Sequence, residues 1–268
     1  MSEKEFFKGK TVVITGASSG IGRALAYEFG ANVVIGARHD TKLAGIAGDL
    51  TNRGAAVAWC AADVTREEDC RRLVETAVAR FGGIDILVCN AGISMRALFD
   101  NVQLDVLRRL MDVNFWGTVY CTKYALPYLQ AARGTVVGVS SVAGLPGRTG
   151  YSASKYAMTG FLDTVRIENR RKGVHVMVAC PGFTATNVRF SALTADGTEQ
   201  GATPRKEEKM MTAEEVAHRI AKGIMRRKRL LLMEFEGRAT HFIKKFSPRF
   251  LDMMFYKVMA REPDSPFK

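Results

Sequence analysis

Residues 11–22 read TVVITGASSGIG. The apolar, β-branched run at 11–15 predicts a buried strand, and the glycines that follow lie where the strand would turn into a helix. Glycines at such a turn let the backbone approach a pyrophosphate, whose charge is stabilised by the helix N-terminus. The residues predicted to line this loop are Gly16, Ser18, Ser19, Gly20, Ile21 and Gly22.

The rest of the chain repeats this alternation of short apolar runs and longer amphipathic stretches. Strands are predicted at residues 11–15, 32–36, 57–61, 84–89, 135–140, 174–179 and 230–233, and helices include 66–80, 104–131 and 151–171. Near-continuous apolar strands separated by helices indicate a parallel sheet with helices on both faces. With right-handed crossovers, the prediction is an α/β fold: a single doubly wound Rossmann domain with about seven strands, over residues 1–236.

Two segments depart from this alternation. Residues 191–212 are polar and rich in turn formers, which is typical of a substrate-binding loop or lid. Residues 237–268 form a predicted helical extension with aromatic residues among lysines and arginines: Phe242, Phe246, Phe250, Phe255 and Tyr256. Such an extension packs on the domain or on a second subunit, or it contacts a membrane peripherally as a basic amphipathic surface. Both interpretations stay open.

The charge balance is strongly basic, with a formal net charge of +12. Residues 205–268 alone hold 16 lysines and arginines against nine acidic residues. Solvated helix faces explain most such runs of charge. The remaining positive charge could bind a phosphate-rich cofactor, an anionic substrate or a membrane surface. No nucleic-acid-binding motif accompanies the charge, so we do not expect a nucleic-acid partner.

The five cysteines form no CxxC pair or metal-like cluster, which predicts reduced thiols and no metal site. No apolar run approaches the roughly 20 residues that span a bilayer. The N-terminal residues 1–10 are charged and lack the apolar core of a signal peptide. The predicted localisation is therefore cytoplasmic, with the extension as the candidate for peripheral membrane contact.

The residues after the second strand indicate which dinucleotide is bound. NAD-preferring folds place an acidic side chain here to bind the ribose 2′-hydroxyl. This chain has Ala37 followed by Arg38, and a guanidinium suits a 2′-phosphate, so the predicted cofactor is NADP(H). Asp63 would meet the adenine amino group, and small residues after the fourth strand would lie close to a ribose. The predicted contacts after strands three and four are Asp63, Val64, Asn90, Ala91 and Gly92.

Tyr151 and Lys155 are the candidate catalytic pair. Their i,i+4 spacing on a predicted helix places both side chains on one face. A tyrosine with a pKa near ~10 is a poor base at neutral pH. A neighbouring ammonium and the positive ring of an oxidised nicotinamide would both stabilise its phenolate. The pair therefore predicts Tyr151 as the acid/base of a hydride transfer, with Lys155 also binding the nicotinamide ribose.

These motifs occur together in the order typical of one family. TGASSGIG, Asn-Ala-Gly at 90–92, the asparagine at 114, SSVAG, YSASK and Pro-Gly at 181–182 resemble the short-chain dehydrogenase/reductase family over residues 10–190. GASSGIGRALAYEF and VVIGAR resemble its NADP(H)-linked hydroxysteroid dehydrogenase type. The resemblance implies that Asn114 holds a water linking Lys155 to solvent, and that a serine after the fifth strand binds the substrate oxygen. It also implies contacts to the nicotinamide end of the cofactor from Pro181, Gly182, Phe183 and Thr186, with Thr186 on the carboxamide.

The chain departs from the family pattern in two places. The family serine lies thirteen residues before the tyrosine, but that position is Gly138 here. Aligned from the strand, Ser141 is the match at only ten residues, with Ser140 as the second choice. The first helix is also about three residues short, because Phe29 runs directly into Gly30. Either both segments are shortened in the protein, which would tighten the loop that aims Ser141, or residues are missing from the sequence.

The function predicted from these residues is reversible hydride transfer between NADP(H) and a carbonyl or alcohol. Phe183, Phe190, Leu193 and the aromatic extension favour a hydrophobic small-molecule substrate, such as a steroid, retinoid or lipid-like ketone. The alternatives are a 3-oxoacyl-thioester reductase and a cofactor-binding sensor that has lost catalysis. The resemblance also implies a homo-oligomer, either a dimer or a tetramer.

Overall fold

The first strand lies near the centre of a seven-stranded sheet in the computed structural model, which describes residues 2–141, 148–201 and 210–261. The strands are β1 (Thr11–Thr15), β2 (Asn32–Ala37), β3 (Val57–Ala61), β4 (Ile86–Cys89), β5 (Thr135–Val139), β6 (His175–Cys180) and β7 (Leu230–Leu232). Their order is β3-β2-β1-β4-β5-β6-β7, and every neighbouring pair is parallel. Strands β2 and β3 are therefore added on one side of β1, and β4 to β7 are added on the other side after a crossover. The predicted doubly wound parallel fold is confirmed.

Helices cover both faces of the sheet. They are α1 (Glu3–Phe7), α2 (Gly20–Glu28), α3 (Asp40–Asn52), α4 (Glu67–Phe81), α5 (Leu104–Met111), α6 (Gly117–Ala132), α7 (Thr149–Glu168), α8 (Ala213–Met225), α9 (Phe235–Phe246) and α10 (Pro248–Ala260). The continuous helix predicted at 104–131 is wrong in one respect, because a π-helical turn at Asp112–Trp116 separates α5 from α6. The helix predicted at 151–171 begins two residues earlier, so Tyr151 lies in its first turn.

The alternation of side chains along each strand divides the core in two. Val12 and Ile14 of β1 pack with α2, α3 and α8 on one face of the sheet. Val13 packs with α4, α6 and α7 on the other face. All five residues of β1 are buried, as expected for a strand covered on both sides.

A smaller apolar cluster lies beyond the C-terminal edge of the sheet, beside α5. It contains Met95, Ala97, Val102, Val106, Leu110 and Leu193. Leu193 belongs to the predicted substrate loop at 191–212, and its backbone exchanges hydrogen bonds with Ser94 (2.9 Å) and Arg96 (2.8 Å). The start of this loop is therefore packed against the chain that follows β4, while residues 202–209 lie outside the described residues.

The C-terminal extension begins with a helix. Because α9 starts at Phe235, the predicted domain boundary after residue 236 falls inside this helix. Helix α10 packs mainly on α9, and residues 262–268 lie outside the described part of the chain. Within the described ranges, no helix combines the length and apolar character needed to cross a bilayer.

A polar cluster fastens α1 to the domain. His218 Nδ1 on α8 lies 2.8 Å from Glu28 Oε1 on α2 and 3.4 Å from Glu3 Oε2 on α1. Sequence reasoning did not anticipate this juxtaposition, because the three residues are far apart in the chain. The contacts of His218 with the two carboxylates connect three helices at this corner of the domain.

The five cysteines are free and buried. Burial raises the pKa of Cys89 and of Cys180 to about 12. Both thiols therefore stay protonated at neutral pH, which suits small core residues rather than nucleophiles.

Candidate active site

The glycine loop and the residues after β4 form one unit at the C-terminal edge of the sheet. Gly16 has a φ of +67°, and a Cβ there would lie 2.8 Å from the Ala91 Cα, so only glycine fits. Asn90 Nδ2 donates to the Thr15 carbonyl oxygen at 2.9 Å. Thr15 Oγ1 accepts from the backbone N–H groups of Asn90 and Ala91, both at 3.0 Å. The two predicted cofactor segments therefore hold each other in place.

The N-terminus of α2 can receive an anion. Ser19 is the residue at its start, and its side chain makes no capping hydrogen bond to the helix. The first turn carries no acidic residue, so its N–H groups and the helix dipole are not neutralised there by a side chain. Thr186 lies directly beside this turn, since a Cβ on Gly20 would come within 3.1 Å of its methyl group. With Ser18 and Ile21 partly buried and Gly22 buried, the loop forms a cradle that fits a dinucleotide pyrophosphate.

The predicted adenosine-binding residues follow two adjacent strand ends. Arg38 is exposed immediately after Ala37, the last residue of β2. Ala37 pairs with Ala61 at the end of β3, so Arg38 and Asp63 belong to neighbouring strand ends. Asp63 Oδ1 accepts from Thr65 N at 3.0 Å and from Thr65 Oγ1 at 2.9 Å, which fixes the turn after β3.

Val64, which is predicted to contact the cofactor, has a buried side chain that packs against the protein. It is buried where α6 begins, and a Cβ on Gly117 would lie 2.8 Å from its Cβ. The Val64 side chain therefore packs beneath the turn that carries Asp63. Its predicted contact with the cofactor would be made by its backbone atoms.

Tyr151, Lys155 and Ser141 come together at the start of α7. A hydrogen bond joins the Ser141 hydroxyl to the Tyr151 phenol. Lys155 Nζ lies 5.9 Å from the centroid of the Tyr151 ring and donates to the Val139 carbonyl oxygen at 2.8 Å. The three side chains predicted to perform the chemistry are therefore in one place, despite the short spacing between Ser141 and Tyr151.

The structure also accounts for the two other positions considered for the serine. Ser140 is buried, and its hydroxyl bonds the Lys155 carbonyl oxygen (3.2 Å) and Thr159 Oγ1 (3.0 Å). Gly138 lies inside β5, where a Cβ would come within 2.2 Å of Leu162 Cδ1. A side chain at 138 would therefore require Leu162 to move, and Ser140 is turned towards α7. Residues 142–147, which contain the shortened segment, lie outside the described residues.

Burial changes the pKa of both members of the pair. It raises the pKa of Tyr151 above its usual value, while the hydrogen bond from Ser141 and the charge of Arg148 act in the opposite direction. It lowers the pKa of Lys155 to about 8, because the ammonium loses its hydration. The lysine is therefore poised to change protonation state close to neutral pH, a property common among functional groups.

Asn114 lies in the π-helical turn and connects three parts of the site. Its Nδ2 donates to the Ile93 carbonyl oxygen (3.0 Å) and to Ser154 Oγ (2.9 Å), and its Oδ1 accepts from Ile93 N (2.9 Å). A Cβ on Gly92 would lie 3.1 Å from Asn114 Oδ1 and 3.2 Å from Lys155 Nζ. The side chain thus clamps the turn after β4 onto α7 beside the lysine. The water-holding role implied for Asn114 stays a prediction.

The segment after β6 contains a contact that the sequence did not suggest. Pro181 and Gly182 directly follow β6, and Phe183 hydrogen-bonds Met211 through its backbone at 3.1 Å. A Cβ on Gly182 would lie 1.8 Å from Glu234 Oε2, so this carboxylate occupies the space that a side chain would need. Glu234 follows β7 at the same edge of the sheet, which is the signal that could have identified it.

Arg148 is the second residue that sequence reasoning missed. It directly precedes α7, and its Nη1 donates to Ser94 Oγ at 2.7 Å. Tyr151 itself packs against the apolar cluster that includes Met95, Leu110 and Leu193. The surroundings of the phenol are therefore apolar on one side and positively charged on the other.

Comparison with known proteins agrees with this geometry. The family described as short chain dehydrogenase matches residues 10–196. An 11-beta-hydroxysteroid dehydrogenase A of Arachis hypogaea is 36% identical over 96% of this chain and 78% of its own length. A dehydrogenase/reductase SDR family member 7B of Rattus norvegicus is 33% identical over 96% and 82%.

Two solved structures share the fold. An alcohol dehydrogenase of the archaeon Thermococcus sibiricus, complexed with 5-hydroxy-NADP, has a TM-score of 0.72 and 26% identity, covering 83% of this chain and 93% of its own. A short-chain dehydrogenase/reductase of Burkholderia phymatum, in complex with NAD, has a TM-score of 0.81 and 23% identity, covering 93% and 96%. The chain belongs to the short-chain dehydrogenase family, oxidoreductases that act on carbonyls and alcohols with a nicotinamide dinucleotide cofactor.

Proposed function

We propose that this chain is an NADP(H)-dependent oxidoreductase that interconverts a carbonyl and a primary or secondary alcohol on a hydrophobic small molecule. The observation that carries the proposal is the position of the Tyr151 phenol. It is hydrogen-bonded to Ser141, close to Lys155 and packed on an apolar cluster. All of these groups lie at the sheet edge where the glycine loop forms its cradle.

The proposed mechanism assigns a proton to Tyr151. A bound nicotinamide supplies or accepts the hydride. In reduction Tyr151 donates its phenolic proton to the carbonyl oxygen, and in oxidation its phenolate takes the proton from the alcohol. Protonated Lys155 favours that phenolate electrostatically and binds the nicotinamide ribose. Ser141 orients the substrate oxygen towards the phenol.

Replacing Tyr151 with Phe tests this assignment. We expect turnover to fall roughly a thousandfold, because the ring is kept and the proton donor is lost. The dissociation constant for NADPH should change by less than about twofold, since the phenol is not part of the pyrophosphate cradle. Steady-state kinetics and fluorescence titration with NADPH measure the two quantities. Substantial turnover in Tyr151→Phe would exclude the mechanism.

The preference for NADP(H) rests on Arg38. This exposed guanidinium directly follows β2, where it can meet a 2′-phosphate. The solved neighbours include one complex with an NADP derivative and one with NAD, so they support either cofactor. We expect Arg38→Leu to weaken NADPH binding about tenfold or more and to leave NADH binding unchanged. Titration with both cofactors measures this, and an NADH preference in the unmodified protein would exclude the assignment.

The proposed substrate class is a steroid, retinoid or lipid-like ketone. It is supported by the apolar cluster beside Tyr151 and by relatives whose name is 11-beta-hydroxysteroid dehydrogenase. A panel of hydrophobic ketones, 3-oxoacyl thioesters and the corresponding alcohols, followed through NADPH absorbance, tests the class. A preference for thioesters would make the chain a fatty-acid-type reductase. Cofactor binding without consumption over the whole panel would identify a sensor.

We also propose that the protein acts in the cytoplasm as a homo-oligomer. The resemblance to the family supports an assembly, and Trp116 on the protein surface stacks on Tyr120 with 5.6 Å between ring centroids. Tyr120 is partly buried, and exposed aromatic residues such as Trp116 are enriched at subunit interfaces. Light scattering should give the mass of a dimer or a tetramer, and a monomer at micromolar concentration would exclude the assembly.

A further inference from the structure

Helices α9 and α10 present large apolar side chains to solvent. Phe235, Phe242 and Phe246 are 78%, 64% and 73% exposed, and Phe250 and Met253 are 50% and 49% exposed. We call these five residues the tail surface. Soluble proteins rarely expose so many neighbouring apolar side chains unless another surface covers them. Such a surface is typical of an interaction site.

The orientation of α9 explains why its aromatic residues point outward. Phe235, Phe242 and Phe246 are separated by seven and four residues, so they form one stripe along the helix. The opposite side faces the domain, because Gly237 is buried and Lys244 Nζ donates to Tyr156 Oη at 2.6 Å. The helix is attached through its polar side, and its apolar side is left uncovered.

Helix α10 packs on α9 and also exposes apolar side chains. Phe250, Met253 and Lys257 lie on one face by their i, i+3, i+7 spacing, and all three are exposed. Leu251 points inward and is 4% exposed. Two consecutive amphipathic helices with apolar outer faces can lie side by side in the plane of an interface.

The charge of the extension indicates which kind of interface this is. Residues 235–261 contain six lysines and arginines against two acidic residues. Arg238, Arg249, Lys257 and Arg261 are exposed. Cationic residues beside exposed aromatic rings match the headgroup region of an anionic bilayer. A second copy of the chain would bring the same positive charge to the contact, which disfavours self-association through this surface.

The tail surface begins close to the edge of the sheet that carries the active site. Helix α9 begins three residues after β7 ends, and Glu234, between them, contacts Gly182. We propose that the tail surface binds the protein peripherally to an anionic lipid bilayer, with the active-site edge next to the membrane. This placement, though not the binding, rests on the proposed function, under which a hydrophobic substrate would enter from the lipid.

Vesicle flotation of the full chain tests the binding. We expect the protein to float with vesicles of phosphatidylcholine and phosphatidylglycerol, and much less with phosphatidylcholine alone. The double variant Phe242→Ser/Phe246→Ser should bind at least about tenfold more weakly, because two aromatic anchors are lost. The matched control is Ile167→Ser, which removes a 73% exposed side chain from the end of α7 and should bind like the unmodified protein. A thermal melt of each variant checks that the domain is folded.

A second variant tests the electrostatic part. Arg249→Gln/Lys257→Gln should bind the anionic vesicles more weakly, and binding of the unmodified protein should fall as salt is added. The proposal is overturned if the unmodified protein does not float with anionic vesicles, or if Phe242→Ser/Phe246→Ser floats equally well. It is also overturned if the double variant only reduces the mass measured by light scattering, which would assign the surface to a second copy. None of these measurements depends on turnover, so failure of the proposed reaction is detected separately.

Discussion

Two neighbouring serines have different environments at the end of β5. Ser140 is buried against α7, where it bonds the Lys155 carbonyl oxygen and Thr159, whereas Ser141 reaches the Tyr151 phenol. Successive side chains of an extended chain point to opposite sides, so Ser140 and Ser141 cannot both face Tyr151. Aligning from the strand identifies Ser141 as the serine that does. Counting back from the tyrosine leads instead to Gly138, which packs under Leu162.

The two serines form a matched pair for mutation. Ser141→Ala should lower kcat about a hundredfold, because the hydrogen bond to the phenol is lost, and leave thermal stability unchanged. Ser140→Ala should leave kcat within a few-fold and lower the free energy of unfolding by about 1 kcal/mol, the usual cost of losing such a bond. Kinetics and urea unfolding measure both effects. Reversed results would show that the catalytic serine has been misassigned.

Lys155 should make stability depend on pH in the alkaline range. Its pKa is about 8 in the folded chain and ~10.4 in an unfolded one. Below about pH 8 the buried ammonium destabilises the fold. Between these values the folded state releases its proton first, so the contribution of this group rises with pH. This stabilising contribution is fully present above ~10.4 and is lost as the pH falls through the folded pKa of about 8. The full difference is up to about 3 kcal/mol.

Lys155→Met isolates this contribution. The unmodified protein should gain stability relative to the variant between about pH 8 and ~10.4, in addition to a pH-independent cost to the variant of leaving the Val139 carbonyl oxygen unpaired. Urea unfolding over this range measures it, with exposed Lys172→Met as the control for a general change in charge. Parallel pH curves for the unmodified protein and Lys155→Met would contradict the lowered pKa.

The π-helical turn between α5 and α6 shows the limit of pattern reading at the scale of an element. The apolar spacing of residues 104–131 predicts one continuous helix, since a single-turn widening barely changes the periodicity. In the structure this turn carries Asn114, which is fully buried and bonds Ile93 and Ser154. Its position could be expected only from the family resemblance.

Asn114→Leu should destabilise the domain strongly. The substitution leaves the partly buried N–H and carbonyl groups of Ile93 without their Asn114 partner and removes the buried bond to Ser154, at an expected cost of about 2–4 kcal/mol. Asp112→Asn, an exposed change in the same turn, should have an effect below about 0.5 kcal/mol. Urea unfolding compares the two variants. Equal stabilities would mean that the clamp on Ile93 contributes nothing.

Most of the sheet could be predicted because its strands are uniformly apolar. β1 and β3 have the predicted bounds, whereas β4 begins at Ile86, two residues late. The reason is Asp85, whose carboxylate accepts from Thr11 N at 2.9 Å and so occupies the start of the β1–β4 pairing. The Tyr151–Lys155 pair could be singled out from its helical spacing together with the ordered motifs around it, since the spacing alone is common. Arg148 and Glu234 were not, because their contacts with Ser94 and Gly182 join residues more than 50 positions apart.

At the scale of the whole molecule, the extension adds little to the core. The apolar cluster formed with α2, α3 and α8 ends at Met233, and Leu251 is the buried apolar residue of α10 within the described ranges. Removing residues 235–268 should therefore lower the melting temperature by less than about 5 °C, because little apolar area is lost. Differential scanning calorimetry measures this change. Loss of a cooperative transition would show that α9 and α10 are part of the folding unit.

The contact between Gly182 and Glu234 has an evolutionary consequence. With the carboxylate 1.8 Å from where a Cβ would stand, any side chain at 182 requires a smaller or displaced residue at 234. The two positions are therefore expected to covary among relatives, because a side chain at 182 and the side chain at 234 compete for the same space. Such a pair would couple the loop after β6 to the residue that directly precedes α9.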